Sequence, residues 1–186
     1  MQNFRRLLYV ALSFLVAPAA LHAQDSLDVK SARLILSEYR IDLTLVHDKV
    51  WALAEAIPTE KYAWRPTASV RSVSEVLMHV AGEWFYICPI SVGGKPPADF
   101  GAPREAMPKL EKITSKSEVL EQLQKSWAFC TAAFGSADPT KLLGKYEPVK
   151  MSLARAVLRV GGDQHEHVGQ LITYARSVGV TPPWSK

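Results

Sequence analysis

The sequence predicts an all-α fold: a four-helix bundle with a long crossover between its second and third helices. Three observations carry this. Apolar residues recur at three- and four-residue spacing in four long segments, serine–glutamate capping boxes open two of them, and no segment alternates apolar and polar residues between turn signals. The chain of 186 residues has room for one domain with a core, not for two.

The N-terminus is expected to lie outside that domain. Arg5 and Arg6 precede an almost wholly apolar run from Leu7 to Leu21, followed by Leu21-His22-Ala23 and the polar Gln24-Asp25-Ser26. This order is that of a secretory signal peptide cut after Ala23, which divides the chain into 1–23 and 24–186. The run is short for a bilayer span, so an uncleaved anchor helix is the weaker reading. The expectation is an exported protein, periplasmic or secreted, with no stable membrane span after cleavage. Cleavage removes two arginines and no acid, lowering the formal net charge from +4 to +2. That small excess and the lack of a basic stripe with interleaved aromatics argue against a nucleic-acid partner.

The first helix is expected from about Ser26 to Ile57, where Ile35, Tyr39, Leu43, Val46, Val50, Leu53 and Ile57 form one apolar face and Pro58 stops it. The second opens on the capping box Ser72 to Glu75, carries the stripe Val73, Val76, Leu77, Val80, Trp84 and Ile87, and ends at Pro89. Residues 89–114, punctuated by glycine and proline, read as the crossover. A second capping box, Ser115 to Glu118, opens the third helix, lined by Val119, Leu123, Trp127, Cys130 and Phe134. The fourth begins after Pro148, keeps a heptad-like rhythm through Leu153, Val157, Val160, Gln164, His167, Leu171 and Tyr174, and gives way to Gly179 and Pro182-Pro183. Cys88 and Cys130 both fall on apolar stripes, which suits either a disulfide or two buried thiols.

The candidate chemistry sits on the fourth helix. Residues four apart on a helix are separated by about 40° around its axis, and residues two apart by about 200°. Asp163 and His167 therefore share a face, and His165 points away from both. That face coincides with the inner stripe, flanked by Val160 and Leu171, so a carboxylate and an imidazole interrupt the apolar pattern at its centre. Burying such groups unpartnered is costly, and a metal ion is one way to satisfy them; helix bundles build metal sites from ligands projecting inward on facing helices. His79 supplies the matching donor on the second helix. Glu83, one turn on, either orients His79 or reaches the metal itself. Two imidazoles and a carboxylate suit nickel, zinc or non-haem iron with open coordination positions. A hydrogen-bonded Asp163–His167–His79 cluster without metal is the plainer alternative.

Several stretches resemble the DinB-like family. Glu166-His167-Val168-Gly169-Gln170-Leu171-Ile172-Thr173-Tyr174-Ala175-Arg176 with Gly179-Val180-Thr181-Pro182-Pro183 is similar to the family's last helix and tail. Arg71 to Ala81 is similar to its second helix, and Leu53 to Pro58 with Tyr62 to Pro66 to the end of its first helix and the following loop. The resemblance implies a four-helix bundle and a divalent metal held by three histidines, one from the second helix and two, four residues apart, from the fourth. His79 matches the first of these and His167 the last; the middle position holds Asp163, a departure that leaves two histidines and a carboxylate. It also implies relatedness to thiol-dependent transferases and isomerases.

The expected function is that of an exported metal-dependent enzyme, of hydrolase or thiol-transferase type, acting on an unknown small molecule. His79, Asp163 and His167 are its metal ligands, and Glu83, or Glu166 if the helix turns it inward, is its general base. A non-catalytic bundle that binds a metal or small ligand is the alternative, and a homodimer through an apolar helix face is left open.

Overall fold

The computed structural model describes residues 28–146 and 151–185. The expected signal peptide, residues 1–23, lies outside the described residues, as do Ser26 and Leu27, the first two residues allotted to the first helix. Within them the fold is all-α, as the sequence predicts. Five helices follow one another: α1 (Val29–Ala56), α2 (Val73–Ser91), α3 (Pro103–Leu110), α4 (Lys116–Gly135) and α5 (Leu153–Ser177).

The helix ends show why these residues form these elements. Asp28 caps α1 by accepting from the Ser31 amide at 2.6 Å, satisfying one of the donors a helix start leaves open. At the other end Lys116 donates to the carbonyls of Glu55 and Ile57 at 2.6 and 2.8 Å, so the first residue of α4 closes the last turn of α1. Both sides of the Ser72/Glu75 capping box are formed, and Ser115 and Ser152 cap α4 and α5.

Two boundaries differ from the sequence expectation. Pro89 does not end α2, which continues to Ser91; a proline in the last turn forfeits one hydrogen bond near a terminus that frays in any case. The crossover is not structureless, because it contains α3. Pro103 is that helix's first residue, where the missing N–H costs nothing, so a residue taken as a breaker is in fact an initiator. A third small difference precedes α5: Lys145–Tyr146 (β1) and Met151–Ser152 (β2) pair antiparallel. Two-residue strands are too short for alternation to mark them.

The four long helices surround one core. The pairs that pack are α2 with α4, α2 with α5, α1 with α5 and α1 with α4, and α3 lies on α2. Consecutive helices α1 and α2 thus sit across a diagonal. Val46, Val50, Leu53, Val76, Leu77, Leu123, Val157 and Leu171 are among the fully buried residues at the centre. Cys88 of α2 and Cys130 of α4 form a disulfide, with Cα atoms 5.6 Å apart. A cross-link closing a loop of this size typically adds about 2–4 kcal/mol. Among the described residues no helix is long and apolar enough to cross a membrane.

Candidate metal centre

Helices α2 and α5 run antiparallel, and three contacts fix their register. Tyr174 donates its hydroxyl to the Arg71 carbonyl at 3.0 Å. The rings of His79 and His167 meet edge to face with centroids 5.1 Å apart. Gln164 donates its side-chain amide to Glu83 Oε2. Each turn forward along α2 is matched by about one turn backward along α5, so a polar seam faces across the joint.

In the middle of that seam His79, Glu83 and His167 converge. One donor atom from each lies within 4.8 Å of the others. His79 Nε2 is 3.4 Å from Glu83 Oε1, and His167 Nε2 is 3.5 Å from Glu83 Oε2. Glu83 is 3% exposed, an environment that carboxylates occupy only when paired. The three residues can hold a metal ion, and the fit rests on one atom in particular: His167 Nε2 is buried with no hydrogen-bond partner. A buried ring nitrogen facing a carboxylate and a second imidazole is short of one interaction, and coordination to a shared cation supplies it.

The surrounding side chains prepare these donors. His79 Nδ1 lies 2.9 Å from Glu111 Oε1, so a neutral ring carries its proton on Nδ1 and leaves Nε2 as the lone-pair donor. Glu111 in turn accepts from Arg71 Nε at 3.1 Å. The Gln164 amide, fully buried, orients the Glu83 carboxylate. Tyr174 is engaged with the Arg71 carbonyl and with Gln170.

Protonation follows from this packing. Burial works against a charged Glu83, but the closeness and charge of His167 and the approach of His79 outweigh it and hold the carboxyl down at about 2. Burial also opposes a charged His167; Glu83 beside it and the Asp163 charge push it above the usual histidine value instead. Asp163 is pushed up, first by burial and then by the neighbouring Glu83 carboxylate.

The structure therefore sorts the sequence candidates. It brings His79 and His167 together, with Glu83 as the carboxylate between them. Asp163 stands beside Glu83 but outside the convergent set. The reason is rotational: α5 turns Gln164 wholly into the interior and leaves Asp163 half-buried at the rim of the joint. Glu166, about 100° round the helix from His167, is exposed. His165 is exposed too and meets Asp42 at 3.0 Å. Two supporting residues escaped the sequence reading. Gln164 left a signal, a polar residue on an apolar stripe. Glu111 left none, because it sits in the crossover, 32 residues from the ring it touches.

No curated protein matches the chain. A family model described as the DinB superfamily matches residues 42–171, a span containing all three converging residues, the whole of α2 and α5 as far as Leu171. With more than half of its length so matched, the chain belongs to the DinB superfamily.

Proposed function

We propose that this protein is an exported metal-dependent enzyme in which His79, Glu83 and His167 hold one divalent ion, of nickel, zinc or iron. The single observation that carries the reading is the buried Nε2 of His167, which makes no hydrogen bond although it faces a carboxylate and a second imidazole. When bound, a divalent ion supplies a Lewis acid that lowers the pKa of a water or thiol. The chain's own residues do the rest. His79 presents Nε2 because Glu111 keeps the proton on Nδ1, and Glu83 stays ionised at neutral pH and is aligned by Gln164. Asp163, half-buried at the rim beside Glu83, is placed to exchange a proton with whatever occupies the joint. The Glu83 carboxylate thus acts as ligand, and Asp163 takes over the acid–base role.

Export is supported by the order of basic, apolar and small residues in 1–23, and by the Cys88–Cys130 disulfide, a bond that persists in oxidising compartments. Elemental analysis of protein purified from the exported fraction, alongside His167→Ala and Glu83→Gln, tests the metal assignment. The expected result is close to one equivalent of a single transition metal in the wild type and strongly reduced content in both variants. Equal metal in all three proteins would remove the assignment.

A further inference from the structure

The seam between α2 and α5 does not stop at the metal-binding group. One turn further, at the level where the register pairs Tyr86 and Ile87 with Arg159 and Val160, the joint opens into a cleft of about 270 Å³. Ile87, Val160 and Met151 give it apolar walls, with the Tyr86 ring along one side. Its two lining residues of opposite charge lie on one face of α5, four residues apart: Asp163 at the inner end, touching Glu83, and Arg159 at the outer end. Arg159 is exposed and has no carboxylate within 4 Å among the described residues. Pockets that take organic ligands are apolar with a few placed polar groups, and a guanidinium at one end selects a carboxylate or a similar planar anion.

We propose that this cleft is the substrate compartment of the His79/Glu83/His167 group and that it takes a small carboxylate with an apolar body. The carboxylate pairs with Arg159, the body lies against Ile87, Met151 and Val160, and the opposite, reacting end is delivered to Asp163 beside Glu83. The inference rests on the metal-dependent reading above and adds the class of substrate. Four residues separate the two polar ends along α5, a rise of about 6 Å along the axis. The volume admits a chain of several carbons.

Hexanoate and its uncharged isostere hexanamide are suitable probes, titrated into metal-loaded protein and followed by amide NMR shifts. Wild type, Arg159→Gln and His167→Ala are compared, each with its metal content measured on the same sample. Arg159 is exposed, so its variant is expected to fold and to keep its metal. The expected result is saturable hexanoate binding with shifts at Ile87, Met151, Arg159 and Val160, weakened on the order of tenfold or more both in Arg159→Gln and on exchange of hexanoate for hexanamide, and retained in His167→Ala. Equal binding of the two probes, or unchanged binding in Arg159→Gln, overturns the proposal. So does hexanoate binding that survives in Arg159→Gln but vanishes in His167→Ala, which would show the anion captured by the metal. Hexanoate held at Arg159 in a wild type that carries no metal would instead sink the metal reading and leave the cleft assignment standing.

Discussion

Gln164 of α5 donates its side-chain amide to the buried carboxylate of Glu83 on α2, 81 residues away in sequence. Both side chains are closed off from solvent, and this bond joins the helix that carries two of the converging residues to the helix that carries the third. Residues that orient metal ligands commonly govern affinity almost as strongly as the ligands themselves. Replacing Gln164 with Leu is therefore expected to lower metal affinity by about 10- to 100-fold while leaving the helical fold in place. Competition against a chromophoric chelator, with circular dichroism as the control, measures both. Unchanged affinity would show that Glu83 needs no such alignment.

The roles of the two neighbouring acids separate under conservative substitution. Asp163→Asn keeps a hydrogen-bonding group beside Glu83 and is expected to retain metal affinity. Glu83→Gln removes the carboxylate between the rings and is expected to cost on the order of tenfold or more. Parallel calorimetric titrations decide it. An Asp163→Asn protein as weak as Glu83→Gln would place Asp163 among the ligands, as the sequence pattern alone suggests.

The metal-free protein is expected to lose stability in acid through Glu83. Its carboxyl is held at about 2 against a usual 4.5. A depressed folded pKa stabilises above the unfolded value, and the contribution disappears as pH falls from about 5 toward 2. For a residue this well buried the whole effect is of order 3 kcal/mol. His167 has the opposite sign. Its raised value contributes stability that is fully present below the ordinary histidine pKa and is lost as pH rises through the folded one. Stability of the apoprotein should peak between the two. Urea unfolding at a series of pH values from 3 to 8 gives the curve, and a Glu83→Gln protein with the same acid limb as wild type would contradict this account.

Two glycines on one helix are expected to respond with opposite signs. A Cβ on Gly161 would lie 2.7 Å from Tyr39 Cε2, a buried ring packed on Phe134. Gly161→Ala should therefore destabilise by about 1–3 kcal/mol through overpacking of the α1–α5 joint. Gly169 meets nothing within 4 Å and faces solvent, so Gly169→Ala should stabilise by up to about 1 kcal/mol through helix propensity alone. Thermal melts of the two variants measure the pair. A stabilising Gly161→Ala would mean that Tyr39 has room to move.

The all-α class and the extents of α1, α4 and α5 were legible because periodicity and capping are local properties of a sequence. Ser72 with Glu75 and Ser115 with Glu118 mark helix starts without reference to the rest of the chain. His79 and His167 were legible for a related reason, since each interrupts an apolar stripe. Which acid stands between them was not. Asp163 and Gln164 are about 100° apart on α5, and only the packing of α1 and α2 against that helix decides which of the two enters the interior. The short helix α3 was hidden because Pro103 reads as a breaker until the chain after it is known to turn. Glu111 could not be found at all, because its partners, His79 on α2 and Arg71 just before that helix, reach it only through tertiary contact.

Glu111 has a consequence for how the donor group comes into being. It follows directly on α3, and α3 settles on α2 where Gly82 lets Met107 lie against the backbone. Seating that short helix and choosing which nitrogen His79 offers are thus one event. A chain with the crossover undocked would hold both imidazoles yet leave one of them free to turn over. The docked crossover thus acts as a latch on the His79 ring, and readiness to capture an ion reports that this latch is closed.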